Sequence, residues 1–158
     1  MINEYKKRSI YFAHPFDLWR TEKETEIEKI LAKRNYNVIN PFKEENRLNE
    51  KYGVDNYYDN PTRLFAKDIV KKDWEMVYKC DEYFGFFPKG ISVIGTPIEL
   101  TWAVLLGKKI TSLCYKPQPF LVMYSDIFYT SYKSFIENKP EFTQEKTNRE
   151  IFCGIIWL

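Results

Sequence analysis

Four short apolar runs, each separated from the next by a stretch long enough to hold a helix, restrict this chain to one broad architecture. The first is Ser9-Ile10-Tyr11-Phe12-Ala13, bounded by charge on one side and Pro15 on the other, and it reads as a buried strand. Residues 36–39 form a second strand ended by Asn40-Pro41, residues 81–87 a third, strongly aromatic one, and residues 109–115 a fourth. Between them, residues 21–34 carry Thr21 and Glu24 in capping-box spacing, with Ile27, Ile30 and Leu31 on one helical stripe. Residues 61–79 and 95–107 read as two more helices, the latter opened by Gly95-Thr96-Pro97 and closed by Gly107. Strands alternating with helices predict an α/β three-layer sandwich, a mostly parallel sheet with helices on both faces, as a single domain over residues 1–158.

In such sheets ligands bind outside the carboxyl ends of the strands. That puts the loops 14–17 and 88–95 at the expected site. Residues 43–60 are polar, and a connection of that length is expected to be functional or disordered. Another short helix is expected within residues 120–135. The apolar end, residues 151–158, is expected to pack on the body or on a neighbouring subunit.

Charge excludes several functions. The 24 basic and 22 acidic residues leave a net charge of +2, against a nucleic-acid polymer or a membrane surface as partner. The three cysteines, Cys80, Cys114 and Cys153, have no metal or redox spacing, and there is one histidine, so no metal is expected. No signal peptide and no apolar run approaching the roughly 20 residues of a membrane span is read, so the expected location is cytoplasmic. No Gly-x-Gly-x-x-Gly follows the first strand and no Gly-Lys-Ser/Thr loop occurs, which removes the usual support for dehydrogenase, kinase and NTPase readings. No cofactor is expected.

Two carboxylates stand out. With Thr96 at the N-cap and Pro97 at the first helical position, Glu99 falls in the first turn, where the helix dipole favours an ionised nucleophile. The same Thr96-Pro97-Ile98-Glu99 spacing is also a capping box, in which the Glu only satisfies a backbone N–H. Asp73 shares a helical face with Phe65, Ile69 and Val77 and interrupts an apolar stripe. A carboxylate there is costly unless paired or working; the alternative is a rim position bonded to a neighbouring loop. Asp81 suits a turn or strand-start hydrogen bond. Tyr11 suits a core aromatic and His14 a satisfied loop residue, yet both lie at the carboxyl end of the first strand. Phe16 and Trp19 can stack on a flat ligand or cover a core.

Together these blocks resemble the nucleoside 2-deoxyribosyltransferase family. The resemblance is carried by Ile10-Tyr11-Phe12-Ala13-His14-Pro15-Phe16, Lys72-Asp73-Trp74-Glu75-Met76-Val77, Cys80-Asp81-Glu82-Tyr83-Phe84-Gly85, and Gly95-Thr96-Pro97-Ile98-Glu99-Leu100-Thr101-Trp102-Ala103 followed by Leu106-Gly107-Lys108-Lys109. It implies a flavodoxin-like fold and an enzyme that cleaves the N-glycosidic bond of a 2′-deoxynucleoside and passes the sugar to another free nucleobase. By that resemblance Glu99 is the nucleophile, Asp73 manages the proton of the bases, and Tyr11 orients Glu99. His14, Phe16, Ser92, Val93, Gly95, Met123 and Leu158 would contact substrate. The resemblance also implies a homo-oligomer, from dimer to hexamer, with active sites shared between subunits.

Two stretches depart from the family pattern. The loop Ile91-Ser92-Val93-Ile94 has no base-reading acid, and Phe120-Leu121-Val122-Met123 has no sugar-binding Asn. These departures keep open a related deoxynucleoside 5′-monophosphate N-glycosidase, for which Arg20 would be a phosphate partner. The loop His14-Pro15-Phe16-Asp17-Leu18-Trp19-Arg20 is closer to the transferases. A non-catalytic nucleotide sensor on the same fold is the third reading.

Overall fold

The computed structural model describes residues 7–53, 62–91 and 93–144. Its strands are β1 (Arg8–Ala13), β2 (Tyr36–Ile39), β3 (Glu82–Phe87), β4 (Lys109–Cys114), β5 (Ile127–Tyr129) and β6 (Phe142–Thr143). Its helices are α1 (Glu22–Lys33), α2 (Glu45–Tyr52), α3 (Arg63–Lys79), α4 (Gly95–Leu105), α5 (Pro119–Tyr124) and α6 (Tyr132–Ile136).

The six strands form one sheet in the order β2-β1-β3-β4-β5-β6. The first five run parallel and β6 pairs antiparallel with β5. This is the mostly parallel sandwich the alternation predicts and the flavodoxin-like fold the resemblance implies. All six residues of β3 are buried, as a central parallel strand covered on both faces requires. One core lies on the face that carries Tyr11, Ala13 and Tyr83, roofed by Val77 of α3, Leu100 and Ala103 of α4 and Leu121 of α5. The other holds Ile10, Phe12 and Phe84 under Ile27 and Leu31 of α1 and Phe135 of α6. The chain order turns back between β1 and β3, and a crevice at such a switch point is where this architecture places its ligands.

Two expectations change. Residues 120–135 hold not one short helix but α5, β5 and α6 in succession. Part of the polar connection is ordered: Pro41–Glu44 is a single 3₁₀ turn capped by Asn40, and α2 follows, ending on Gly53 at φ 63°. Glycine adopts that left-handed conformation without the Cβ penalty, so it stops the helix. The apolar end and Cys153 lie outside the described residues; Cys80 and Cys114 are buried thiols.

Candidate active site

Tyr11 on β1 donates its hydroxyl to Glu99 Oε1 on α4 at 2.8 Å, both groups buried. Tyr83, the register partner of Tyr11 on β3, stacks against it with ring centroids 6.0 Å apart. The Tyr83 hydroxyl donates to the Thr96 carbonyl at 2.9 Å. One strand thus fixes both the phenol and the start of the helix that carries the carboxylate. Burial raises both phenols well above 10. They stay protonated, so Tyr11 is the donor in the pair.

The start of α4 differs from its expected form. The helix begins at Gly95, with Ile94 at the N-cap position and no side-chain cap. Thr96 is therefore inside the helix, and the Thr96–Glu99 capping box is not made. Glu99 sits two residues further in than expected, past the first turn, within which the dipole's effect falls off. Its carboxyl is moved the opposite way, up from 4.5 to about 8. Burial is the main cause and the negative charge of Asp73 the next; the Tyr11 bond and Lys72 oppose them. Desolvation, which disfavours any charge in a dry site, dominates here.

Asp73 lies on the buried side of α3, its side chain 15% exposed, with Lys72 Nζ 3.2 Å from Oδ1. That contact lacks hydrogen-bond geometry, so Oδ1 is a buried acceptor with no hydrogen bond among the described residues. Burial raises this carboxyl too, against the pull of Lys72. A third acid, Glu45 at the start of α2, was not singled out from the sequence. Its Oε1 stands 3.6 Å from Lys72 Nζ, and burial raises its carboxyl to about 7. Lys72 adjoins Asp73 in a block the sequence did mark. Nothing in the polar run 43–60 announces that Glu45 is buried.

The remaining predicted residues are spread out. His14 turns to the opposite face of β1, its ring 4.5 Å from Phe12 and 4.9 Å from Phe42, with Nε2 3.4 Å from Glu24 Oε1. Phe16 is half-buried in an aromatic cluster with Trp19 and Phe42. Gly95 is the first residue of α4. Val93 packs on the core beneath α4, and Met123 is partly exposed on α5. Ser92 and Leu158 lie outside the described residues. Asp81 performs the strand-start role, accepting from Ser9 N at 2.7 Å and Ser9 Oγ at 2.8 Å.

Two cavities border the helices that carry these acids. One of about 630 Å³ lies between α4 and α5, with Val93, Pro97 and Leu100 in its wall. The other, about 670 Å³, is walled by α2 and by Lys72. Glu99 is in neither wall; its neighbours Pro97 and Leu100 border the first, and Lys72, next to Asp73, borders the second.

The fold is a flavodoxin-like α/β sandwich in which β1 and α4 join Tyr11 to Glu99 and α3 carries a second buried carboxylate, Asp73, whose charge Glu99 feels. Among solved structures, the chain resembles a 2-deoxyribosyltransferase from the psychrotolerant bacterium Bacillus psychrosaccharolyticus, with a TM-score of 0.61 and 21% identity over 89% of this chain and 95% of that one. It also resembles a CMP N-glycosidase from Clostridium botulinum, with a TM-score of 0.56 and 20% identity over 83% of this chain and 97% of that one. At these identities the likeness establishes the fold. No family model and no curated protein matches the chain.

Proposed function

We propose that the protein cleaves the N-glycosidic bond of a 2′-deoxynucleoside and transfers the deoxyribosyl group to another nucleobase, with Glu99 as nucleophile. The observation that carries this is the buried Tyr11–Glu99 bond beside a second buried carboxylate, Asp73. Tyr11 occupies Oε1, which leaves Oε2 to attack C1′ of the sugar. The C1′–O bond forms as the C1′–N bond breaks, the electron pair passes to the base nitrogen, and Asp73 supplies the proton the base needs. In the second half an incoming base attacks C1′, gives its proton to Asp73 and releases Glu99. The field of the site supports this chemistry. A carboxylate destabilised by burial gains most when positive charge develops on the sugar, so its stabilising effect falls on the transition state rather than on the empty site.

A second reading, hydrolysis of a deoxynucleoside 5′-monophosphate, is favoured by the missing base-reading acid in residues 91–94 and the missing Asn in residues 120–123. The solved CMP N-glycosidase, which shares the fold, supports it as well. Subunit sharing belongs to the proposal: Val70, Trp74 and Tyr78 on α3 and Ile98 and Leu105 on α4 are exposed apolar side chains suited to self-association.

The test is incubation with a deoxynucleoside and a different free base, and in parallel with 5′-monophosphates, followed by chromatography. A new nucleoside is the expected product. Free base from monophosphates alone would replace transfer by hydrolysis. Ligand binding without turnover on either route would overturn both in favour of a sensor. Glu99→Ala is expected to abolish turnover in a folded protein.

A further inference from the structure

Lys72 is the charged group at the site to which the chemistry above assigns no task. Its side chain is 13% exposed, withdrawn almost entirely between α2 and α3. Nζ donates to the Pro41 carbonyl at 2.9 Å. It also stands 3.2 Å from Asp73 Oδ1 and 3.6 Å from Glu45 Oε1. One cation is therefore shared by carboxylates from two helices, and its third contact fixes the turn that leads into α2.

The charged groups around it are few. Glu99 on α4, which feels the charges of Asp73 and Lys72, is hydrogen-bonded to Tyr11 on β1, with Tyr83 of β3 against the phenol. His14, after β1, bears on Glu45. On the solvent side, Glu44, Arg47, Glu50 and Lys51 share a cavity wall with Lys72, and Lys51 is committed to Asp68 at 2.5 Å. Glu45, Asp73 and Glu99 thus outnumber the one ammonium withdrawn among them. Such a cluster cannot carry three negative charges cheaply, and where its protons sit depends on where the cation sits.

We propose that Lys72 is a positioning residue of this site: its ammonium, held jointly by Asp73 and Glu45, fixes the placement of the cluster's protons so that Glu99 is free to attack while Asp73 handles the proton of the base. The proposal rests on the reading of Glu99 as nucleophile. Its basis is geometric: one withdrawn ammonium stands 3.2 Å from Asp73 Oδ1 and 3.6 Å from Glu45 Oε1, and its charge favours the ionised form of each of the three acids. Glu45 works against it at Glu99, where its negative charge favours the protonated form. Lys72 and Glu45 therefore act on Glu99 with opposite signs, so removing one and removing the other should move it in opposite directions.

The experiment is a carboxyl ¹³C NMR titration of labelled protein, with the Glu99 resonance assigned from Glu99→Gln, in wild type, Lys72→Met, Lys72→Arg and Glu45→Gln. In Lys72→Met the Glu99 midpoint is expected to rise by at least about half a pH unit, the scale of losing a nearby opposite charge. Lys72→Arg is expected to restore it. In Glu45→Gln the midpoint is expected to fall. The acid limb of the kcat/KM profile should follow the same order. A folded Lys72→Met with an unmoved Glu99 midpoint overturns the proposal. Should Lys72→Met not fold, Glu45→Gln decides, and an unchanged or raised midpoint there overturns it equally. The titration needs no substrate. A wild type inactive on every deoxynucleoside and monophosphate thus refutes the proposed reaction, whereas an active one with unmoved midpoints refutes only the role of Lys72.

Discussion

Replacing Glu99 by Gln should make the protein more stable in alkali than the wild type. The carboxyl titrates at an ordinary 4.5 when unfolded and at about 8 in the folded chain. A group whose folded value is raised contributes its stability fully below the unfolded value and loses it as pH climbs to the folded one. Between these limits the folded state holds the proton more tightly, so stability falls with rising pH by about 1.4 kcal/mol per pH unit, or about 5 kcal/mol across the window. Reorientation of Tyr11 and Lys72 and entry of water relax part of that cost, and about half, 2–3 kcal/mol, is the expected net value. Gln keeps the shape and an acceptor for Tyr11 but never ionises.

The assay is urea unfolding of both proteins from pH 5 to pH 9. At pH 5 the two should agree within about 1 kcal/mol. At pH 9 Glu99→Gln should lead by about 2–3 kcal/mol, which corresponds to a melting temperature higher by about 4–10 °C for a domain of this size. The same variant should lose at least about a thousandfold in kcat, because an amide cannot form the glycosyl ester. A difference between the two curves that stays constant with pH, or a wild type that is the more stable at pH 9, would refute the burial argument for Glu99.

Tyr11→Phe removes a hydrogen bond that favours the ionised form of Glu99; the acid limb of the pH–rate profile should move up and kcat should fall about 10- to 100-fold, measured by initial rates over pH. Gly85→Ala would set a Cβ 2.7 Å from the Phe87 ring and 3.0 Å from the Tyr83 ring. It should cost about 1–3 kcal/mol in urea unfolding through overpacking, and it should lower kcat as well because Tyr83 steadies α4. Asp126→Ala removes the buried acceptor of the Ile110 N–H, bonded at 2.6 Å; stability should fall by about 1–3 kcal/mol while kcat/KM stays unchanged.

The elements that were legible in the sequence are those whose burial is periodic or continuous. β1 and β3 are covered on both faces and appear as nearly continuous apolar runs, β4 shows through its buried Ile110, Leu113 and Cys114, and α1 announces its start through Thr21, whose Oγ1 accepts from Glu24 N at 3.2 Å. The return bond differs in detail: Glu24 Oε2 accepts from Arg20 N, one residue beyond the cap. β5 is hidden because three residues between two short helices carry no periodicity. α2 is hidden because the sequence around it is polar; Gly53 was its only punctuation. The packing that buries Glu45 against Lys72 is tertiary, joining α2 to α3, and no local pattern encodes it.

Glu99 shows why local rules mislead where they are broken for a reason. Its spacing from Thr96 satisfies a capping box, and a chain free to optimise α4 alone would make one. Instead the helix starts two residues early without a side-chain cap, and the Thr96 carbonyl is taken by Tyr83. The carboxylate is turned inward to a phenol in a dry setting that raises it to about 8. The missing cap and the buried carboxyl both lower stability relative to the capped alternative. A core would resolve the conflict most cheaply by replacing Glu99 with an apolar residue, since Leu100 and Ala103 of the same helix already pack there. Conflicts between local preference and structure of this kind concentrate at working sites. That the conflict here involves an acid, its oriented donor and a second acid whose charge it feels is what favours nucleophilic chemistry over simple binding, because a binder gains nothing from a carboxylate it must keep partly protonated.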